Sequence, residues 1–450
     1  MKHIPMPTGW SLGAALVALL CAAGCSSAAE GGAGGFYFGG AGGAGGEGGF
    51  GGGGGASLAP LTASAIAVGA AHSCAIVGGG AVACWGDGAH GQLGDGASGK
   101  GHTRATPSVV PGLSGVTALR AGGDTTCAVV EGGAVRCWGD GTFGQLGDGV
   151  AADGHASAVP VAVVDLAGVV DLSVTPSNAC AALADGTVRC WGRNAPDAWL
   201  GFDSADCGPY TVVTGDGGPT LMTVPCQPAP KEVDGAHDAV AVVSGGVHSC
   251  LHKDSGGVAC WGADHFGQLG DGKSGPDAFH TQPVEVSGLS AVQRLALGAS
   301  HTCAIAGDTA GVLCWGDNAY GQLGIGTDAL DSYKITPTAV TTLADVADLH
   351  ASNRTTCAAL VDGTVLCWGD TSTVLPVSPQ KGGSALVPTA VPGVGGAVEV
   401  RTSGAHVCAR LADDTVTCWG LADRGQLGSG NVGVADFSML PVLAPVEPPG

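Results

Sequence analysis

The sequence predicts an all-β chain: a seven-bladed β-propeller of four-stranded blades, its ring closed by the C-terminal strand. Three observations carry this. A cysteine-bounded unit recurs seven times with a period near 50 residues. Each unit is patterned as a β-hairpin. A Gly-Gln-Leu-Gly motif follows most units in register, at 91–94, 144–147, 267–270, 321–324 and 425–428.

The chain opens with a leader. Lys2 precedes an apolar run from Leu12 to Ala23, which is too short to span a bilayer comfortably and reads as a signal-peptide core. It ends Ala22-Ala23-Gly24-Cys25. Small residues before a cysteine resemble a bacterial lipoprotein box, with Cys25 as the lipidated residue and 1–24 removed. Ala22 stands where such boxes usually carry Leu, so ordinary cleavage to a soluble secreted chain is the other reading. Ser26 after the cysteine resembles sorting to the outer membrane, facing either the periplasm or the cell surface. Residues 25–56 follow as a tether, and 31–56 are nearly all Gly and Ala, apart from Phe36, Tyr37, Phe38 and Phe50. Such a segment cannot build a core. As a flexible coil it reaches roughly 25–30 Å.

Residues 57–450 hold the repeats, with cores at 63–113, 114–166, 167–236, 237–289, 290–343, 344–394 and 395–446. The clearest unit is CAIVGGGAVACWG, from Cys74 to Gly86, and it recurs at Cys127, Cys180, Cys250, Cys303, Cys357 and Cys408. Six of the seven cysteine pairs are ten residues apart. That even spacing leaves three-residue hairpin loops ending in Gly80, Gly133, Gly186, Gly256, Gly363 and Asp414. Such loops need a left-handed last residue. The fifth pair is eleven apart and needs one residue more. Paired positions across a hairpin lie within disulfide reach. The expected bridges are Cys74 to Cys84, Cys127 to Cys137, Cys180 to Cys190, Cys250 to Cys260, Cys303 to Cys314, Cys357 to Cys367 and Cys408 to Cys418. Zinc would need close cysteine knuckles, and none occurs.

Trp follows the second cysteine in every unit: Trp85, Trp138, Trp191, Trp261, Trp315, Trp368 and Trp419. Strand alternation points it away from the cysteine, towards a neighbouring blade. The third repeat keeps only Leu200-Gly201 of the Gly-Gln-Leu-Gly motif, and the sixth has lost it. A Pro is then expected to begin each outer strand: Pro107, Pro160, Pro230, Pro283, Pro337, Pro388 and Pro441. The last of these strands is expected to complete the first blade, which removes exposed edges.

The third repeat carries about 17 extra residues, with Cys207 and Cys226 inside them. These two are expected to bridge and tighten a protruding loop. Trp199, Tyr210, Leu221 and Met222 make that loop the candidate binding element; a neutral insertion is the alternative.

Residues 298–326, GASHTCAIAGDTAGVLCWGDNAYGQLGIG, and 69–96, GAAHSCAIVGGGAVACWGDGAHGQLGDG, resemble the repeats of the regulator of chromosome condensation family. The resemblance spans residues 63–446 and implies the seven-bladed propeller. It does not carry the founder's nuclear nucleotide-exchange and nucleosome-docking roles, because this chain reads as exported and lacks a basic arm. The family's ultraviolet-sensing plant member uses tryptophans just before the motif His; here Ala71, Val247, Ser300 and Ala405 stand there. Exported bacterial members include a β-lactamase inhibitor, which implies that the ring face can grip a protein.

With 38 acidic against 17 basic residues the chain carries a net charge of −21, which repels phosphate backbones and argues against nucleic acid. Eighteen cysteines point to an oxidising compartment. His72, His248, His301 and His406 occupy equivalent slots and read as structural. Acidic loops such as Asp95-Gly96 read as turns in preference to calcium loops. No catalytic, metal or cofactor constellation is expected. The resulting expectation is a monomeric, non-catalytic protein-binding propeller, touching the membrane only through its lipid. An enzyme inhibitor and a carbohydrate-binding propeller are the alternatives.

Overall fold

A computed structural model describes residues 59–194, 199–213, 219–307, 311–327, 333–340, 343–375, 383–433, 435–436 and 442; the side chains of 208–222 and 435–436 are outside that description. The leader, Cys25, the tether, Pro441 and the side chains of Tyr210, Leu221 and Met222 therefore lie outside the described residues. Residues 58–450 form one compact unit.

Seven antiparallel sheets stand in a ring, six of four strands and one of five. The first blade shows the common plan. An inner strand, Ala65–Val68, leads into the hairpin His72–Val77 and Ala81–Asp87, and Thr103–Val109 runs along the outer edge. The hairpin register sets Cys74 opposite Cys84, and the same pairing recurs in all seven blades. Six of the hairpin loops end in a left-handed residue, at Gly80, Gly133, Gly186, Gly256, Gly363 and Asp414. Seven disulfides join the facing pairs, at Cα separations of 4.0–4.1 Å. Each hairpin thus specifies its own register within ten or eleven residues of sequence.

Two details differ from expectation. Pro107, Pro160, Pro283 and Pro388 do not open their strands but sit at the fifth position, and Pro337 at the fourth. Each lies where the pairing to the third strand shifts register. An outer edge strand tolerates a residue without an N–H there. The second difference is ring closure. The first blade is complete from its own consecutive strands, so the C-terminal strand does not supply part of it. The chain end instead serves as the outer edge of its own, last blade, where the Val442 N–H donates to the Val416 carbonyl. The N-terminal segment then docks on both: Leu61 N–H donates to the Val442 carbonyl, Val416 N–H to the Leu61 carbonyl, and Ala63 N–H to the Asp414 carbonyl. The Ala63 bond matches Val169 N–H to Gly133 between consecutive blades. Closure reuses the ordinary inter-blade seam without a covalent link.

The core lies between blades. The disulfide of one blade packs under the Trp of the next: Cys74 and Cys84 with Trp138, Cys127 and Cys137 with Trp191, Cys408 and Cys418 with Trp85. All seven of these Trp side chains are fully buried. The Leu of each Gly-Gln-Leu-Gly motif plugs the same seam.

The extra residues of the third blade form a hairpin of Asp206–Val213 with the first half of Pro219–Glu232, whose second half is the blade's outer strand. The expected protruding loop is therefore a fifth, edge strand. Cys207 and Cys226 bridge its two arms.

Candidate functional site

The recurring histidines form seam contacts. His72 Nε2 meets the Thr126 hydroxyl of the next blade at 2.7 Å, and Thr126 donates to the Gln92 carbonyl. That carbonyl also accepts from Trp138 Nε1 at 2.9 Å. The relay repeats through His248, Thr302, Gln268 and Trp315, and through His301, Thr356, Gln322 and Trp368. At the closing seam His406 Nε2 meets Ser73, which donates to Gln426, and Trp85 donates to the same carbonyl. Since each hydroxyl is spent as a donor, the imidazole Nε2–H is the donor to it. Burial pushes all four histidines down to about 3, with a minor push from His301 on His248 and from His72 on His406. Ser73 and Ser403 flank His406 in a way that mimics a hydrolytic pair, but all three are buried in the seam. Lying in four separate seams, the histidines cannot share one metal ion.

The glycines of the motif are required by the same seam. Gly147 has φ +69°, and a Cβ there would come within 2.8 Å of Trp191 Nε1. Gly149, at φ +88°, faces open space. Gly147→Ala is expected to cost about 1–3 kcal/mol more than Gly149→Ala in denaturant unfolding, because only the first adds overpacking to backbone strain.

The sixth blade, which lost the motif, preserves the geometry. Trp419 Nε1 donates to the Val374 carbonyl at 3.0 Å, and Leu375 is buried. The third blade does not. Trp199 replaces the Gln, and Trp261 Nε1 of the next blade has no hydrogen-bond partner among the described residues. Trp199 itself is only 6% exposed and packs on Val247 and Ala263. It is therefore a seam residue, which corrects its assignment to an exposed contact loop.

What remains exposed is one face of the disc. The residue before each Gly-Gln-Leu-Gly motif is His90, Phe143, Phe266, Tyr320 or Arg424, all in equivalent loops. Its backbone N–H is fixed by the motif Gln, as in His90 to Gln92 Oε1 at 2.8 Å and Phe266 to Gln268 Oε1 at 2.9 Å. The loops are rigid and their side chains project. Phe266 is 39% exposed and meets Tyr333 edge-on at 6.4 Å. Arg354 lies over Tyr320 at 4.2 Å, and Arg193 stands near both Phe143 and Trp199. Cations over aromatic faces hold these rings in place. This set was missed at the sequence level. Its signal was legible: a bulky aromatic or basic residue at one fixed offset before a motif that five blades share.

The axis is polar. Inner-strand side chains of one blade bond the inner strand of the next: Asp171 accepts from Val242 N–H and pairs with Arg120 at 3.0 Å. Asp348 accepts from Val400 N–H and pairs with Arg294 and Arg401, and Arg401 also pairs with Glu399. Burial works to raise Asp348, but Arg401 and Arg294 beside it hold its carboxyl below the usual range.

The description "regulator of chromosome condensation (RCC1) repeat" fits residues 63–92, 116–145 and 292–322 in one family model, and 79–129, 255–305 and 310–359 in another. The chain carries RCC1 repeats at these positions. Among curated relatives, ultraviolet-B receptor UVR8 of Arabidopsis thaliana is 27% identical over 374 residues, covering 81% of this chain and 78% of that protein. RCC1 domain-containing protein RUG3, mitochondrial, of Arabidopsis thaliana is 30% identical over 57% of this chain and 54% of its own length. E3 ubiquitin-protein ligase HERC2 of Homo sapiens is 29% identical over 69% of this chain, which spans only 6% of it. Among solved structures, Prp20p of Saccharomyces cerevisiae, a protein with binding properties towards Gsp1p and histones, superposes with a TM-score of 0.65 at 20% identity, covering 86% of this chain and 87% of that one. Human WBSCR16 superposes at 0.64 and 20% identity, covering 82% and 95%. At such identity the structural likeness is one of fold. No helix among the described residues is long and apolar enough to cross a membrane.

Proposed function

We propose that this RCC1-repeat propeller is a non-catalytic protein-binding module, exported and tethered to the cell envelope through Cys25. The observation that carries the binding reading is the row of half-exposed rings Phe143, Phe266 and Tyr320, held on loops fixed by buried glutamines, with Tyr333 and Arg354 packed beside two of them. Rigid aromatics beside arginine are the side chains that dominate protein interfaces. RCC1-type propellers bind protein partners, Prp20p among them, which supports the reading by analogy of fold. Eight disulfides fit an oxidising, exported setting. An inhibitor that occludes an enzyme with this face is the nearest variant of the same reading. The edge hairpin of the third blade is a second contact element.

The test joins both halves. Radiolabelled palmitate is expected to enter the wild type and not Cys25→Ala. A photo-crosslinking residue at position 266 is expected to yield discrete protein adducts in cells, while one at 387, on an outer edge strand, yields few. Equal adducts from both positions, or capture of glycans in place of protein, would reject the face as the protein-binding site.

A further inference from the structure

The fourth blade departs from its sisters beside the exposed face. In the second and fifth blades the residue after the Trp-Gly pair is Asp140 or Asp317, and each accepts from the motif glutamine, Gln145 or Gln322. The fourth blade has Ala263 there and carries its carboxylate one residue later, at Asp264. The Gln268 Nε2 consequently has no partner among the described residues. The slot of Asp264 belongs to an amide in the third and fifth blades. There Asn194 and Asn318 accept from Leu200 and Leu323 N–H, and donate to the Phe202 and Thr327 carbonyls. Asp264 keeps only the first half of this role. Its Oδ1 accepts from Leu269 N–H at 3.0 Å, while Oδ2, which cannot donate when ionised, is buried without a partner. The residue is 0% exposed. A buried carboxylate oxygen left unpaired is costly.

The other blades explain what the space holds. In the first and second blades this slot is Gly88 or Gly141, and a histidine fills the gap. A Cβ on Gly88 would lie 2.2 Å from the His102 ring, and one on Gly141 would lie 2.6 Å from His155. Those histidines reach the loop aspartate directly, His102 to Asp95 at 3.1 Å and His155 to Asp148 at 2.9 Å. In the fourth blade the Asp264 carboxylate occupies the gap, and His280 stands 3.8 Å from Asp271. One ligand atom each of Asp264, Asp271 and His280 lies within 4.8 Å of the others. Two carboxylates and an imidazole so placed can close on a common centre with ligand atoms about 3.4 Å apart, as tetrahedral bonds near 2.1 Å require.

We infer that Asp264, Asp271 and His280 form a binding site for a first-row divalent cation, zinc foremost, at the loop face of the fourth blade. This departs from the expectation of no metal. The imidazole ligand favours zinc over calcium. Lys273, which contacts Asp271 Oδ2 at 3.1 Å, is the competing cation. Its side chain is 72% exposed, so the pair is weak and the ammonium can swing out to solvent. His280, 31% exposed, leaves the remaining coordination positions open to water. A bound ion satisfies Asp264 Oδ2, and it fastens the loop bearing Phe266 to the start of the outer strand Phe279–Glu285.

The test is zinc titration of the metal-stripped mature chain by calorimetry, with cobalt absorption as a second readout. The expected result is one zinc per chain, unaffected by excess calcium. Asp264→Asn restores the amide that the third and fifth blades carry, so it is expected to fold normally while weakening zinc at least about tenfold. Lys273→Met is expected to bind at least as tightly as wild type. His155→Ala, in the second-blade pair that lacks a third ligand, is expected to leave the stoichiometry at one. Absence of saturable binding, or equal affinity in Asp264→Asn, overturns the assignment.

Discussion

Acidification from pH 7 to pH 5 is expected to lower the thermal midpoint of this propeller steeply, well before its carboxylates titrate. His72, His248, His301, His350 and His406 are neutral in the fold, pushed down chiefly by burial to about 3 from an ordinary 6.5. Between those values the unfolded chain binds a proton that the folded chain refuses. Stability is therefore complete above pH 6.5 and lost as pH falls towards 3. Each histidine contributes a slope approaching about 1.4 kcal/mol per pH unit, so the five together approach about 7. That is comparable with the whole stability of an ordinary domain. Two effects oppose it. Relief of the −21 net charge stabilises the compact state, but ordinary carboxylates titrate mostly below about pH 4.5. Asp264, which burial pushes up to about 7, and Asp124, which burial also raises, gain stability as pH falls, two groups against five. The histidines win in the window from 6.5 to 5. Replacing His301 by Gln, which keeps an amide donor for Thr356, should flatten the pH dependence of stability by about a fifth. A midpoint unchanged between pH 7 and 5 would show that the histidines do not titrate with unfolding.

The second large effect belongs to the tryptophans. Trp138→Ala removes a fully buried indole from the seam over Cys74 and Cys84, and a loss of about 3–5 kcal/mol is expected. Substitution by Phe separates packing from hydrogen bonding. Trp138→Phe removes the donor to the Gln92 carbonyl, whereas Trp261→Phe removes an Nε1–H that has no partner among the described residues. Denaturant unfolding with the disulfides intact should find Trp138→Phe costlier than Trp261→Phe by about 1–2 kcal/mol. Equal costs would mean that the indole hydrogen bonds contribute nothing beyond packing.

These effects sit on features of unequal legibility. The cysteine spacing alone specified which strands pair, in what register and with which bridges. Pairs ten residues apart have few geometric solutions, and the left-handed loop ends at Gly133 or Asp414 follow from the same count. The Trp positions followed from strand alternation. Trp199 misled because an aromatic inside an insertion looks like contact material. Only packing reveals that it replaced a motif glutamine and turned inward. The ring closure misled as well. A sequence displays seven outer strands without showing which hairpin each one joins.

By itself, then, the sequence determined the number of blades, the hairpin register, seven of the bridges as cross-strand pairs and the tight turns, because each is settled by residues about ten apart. The tertiary structure decided the rest. His72 finds Thr126 across 54 residues, Trp85 finds Gln426 across 341, and Leu61 finds Val442 across the whole domain. Asp264 and His280 lie only 16 residues apart, yet their meeting depends on which blades have Gly at that slot and which have a carboxylate. Such contacts arise when separately folded hairpins stack, and burial then fixes each polar group's partner, or leaves it without one.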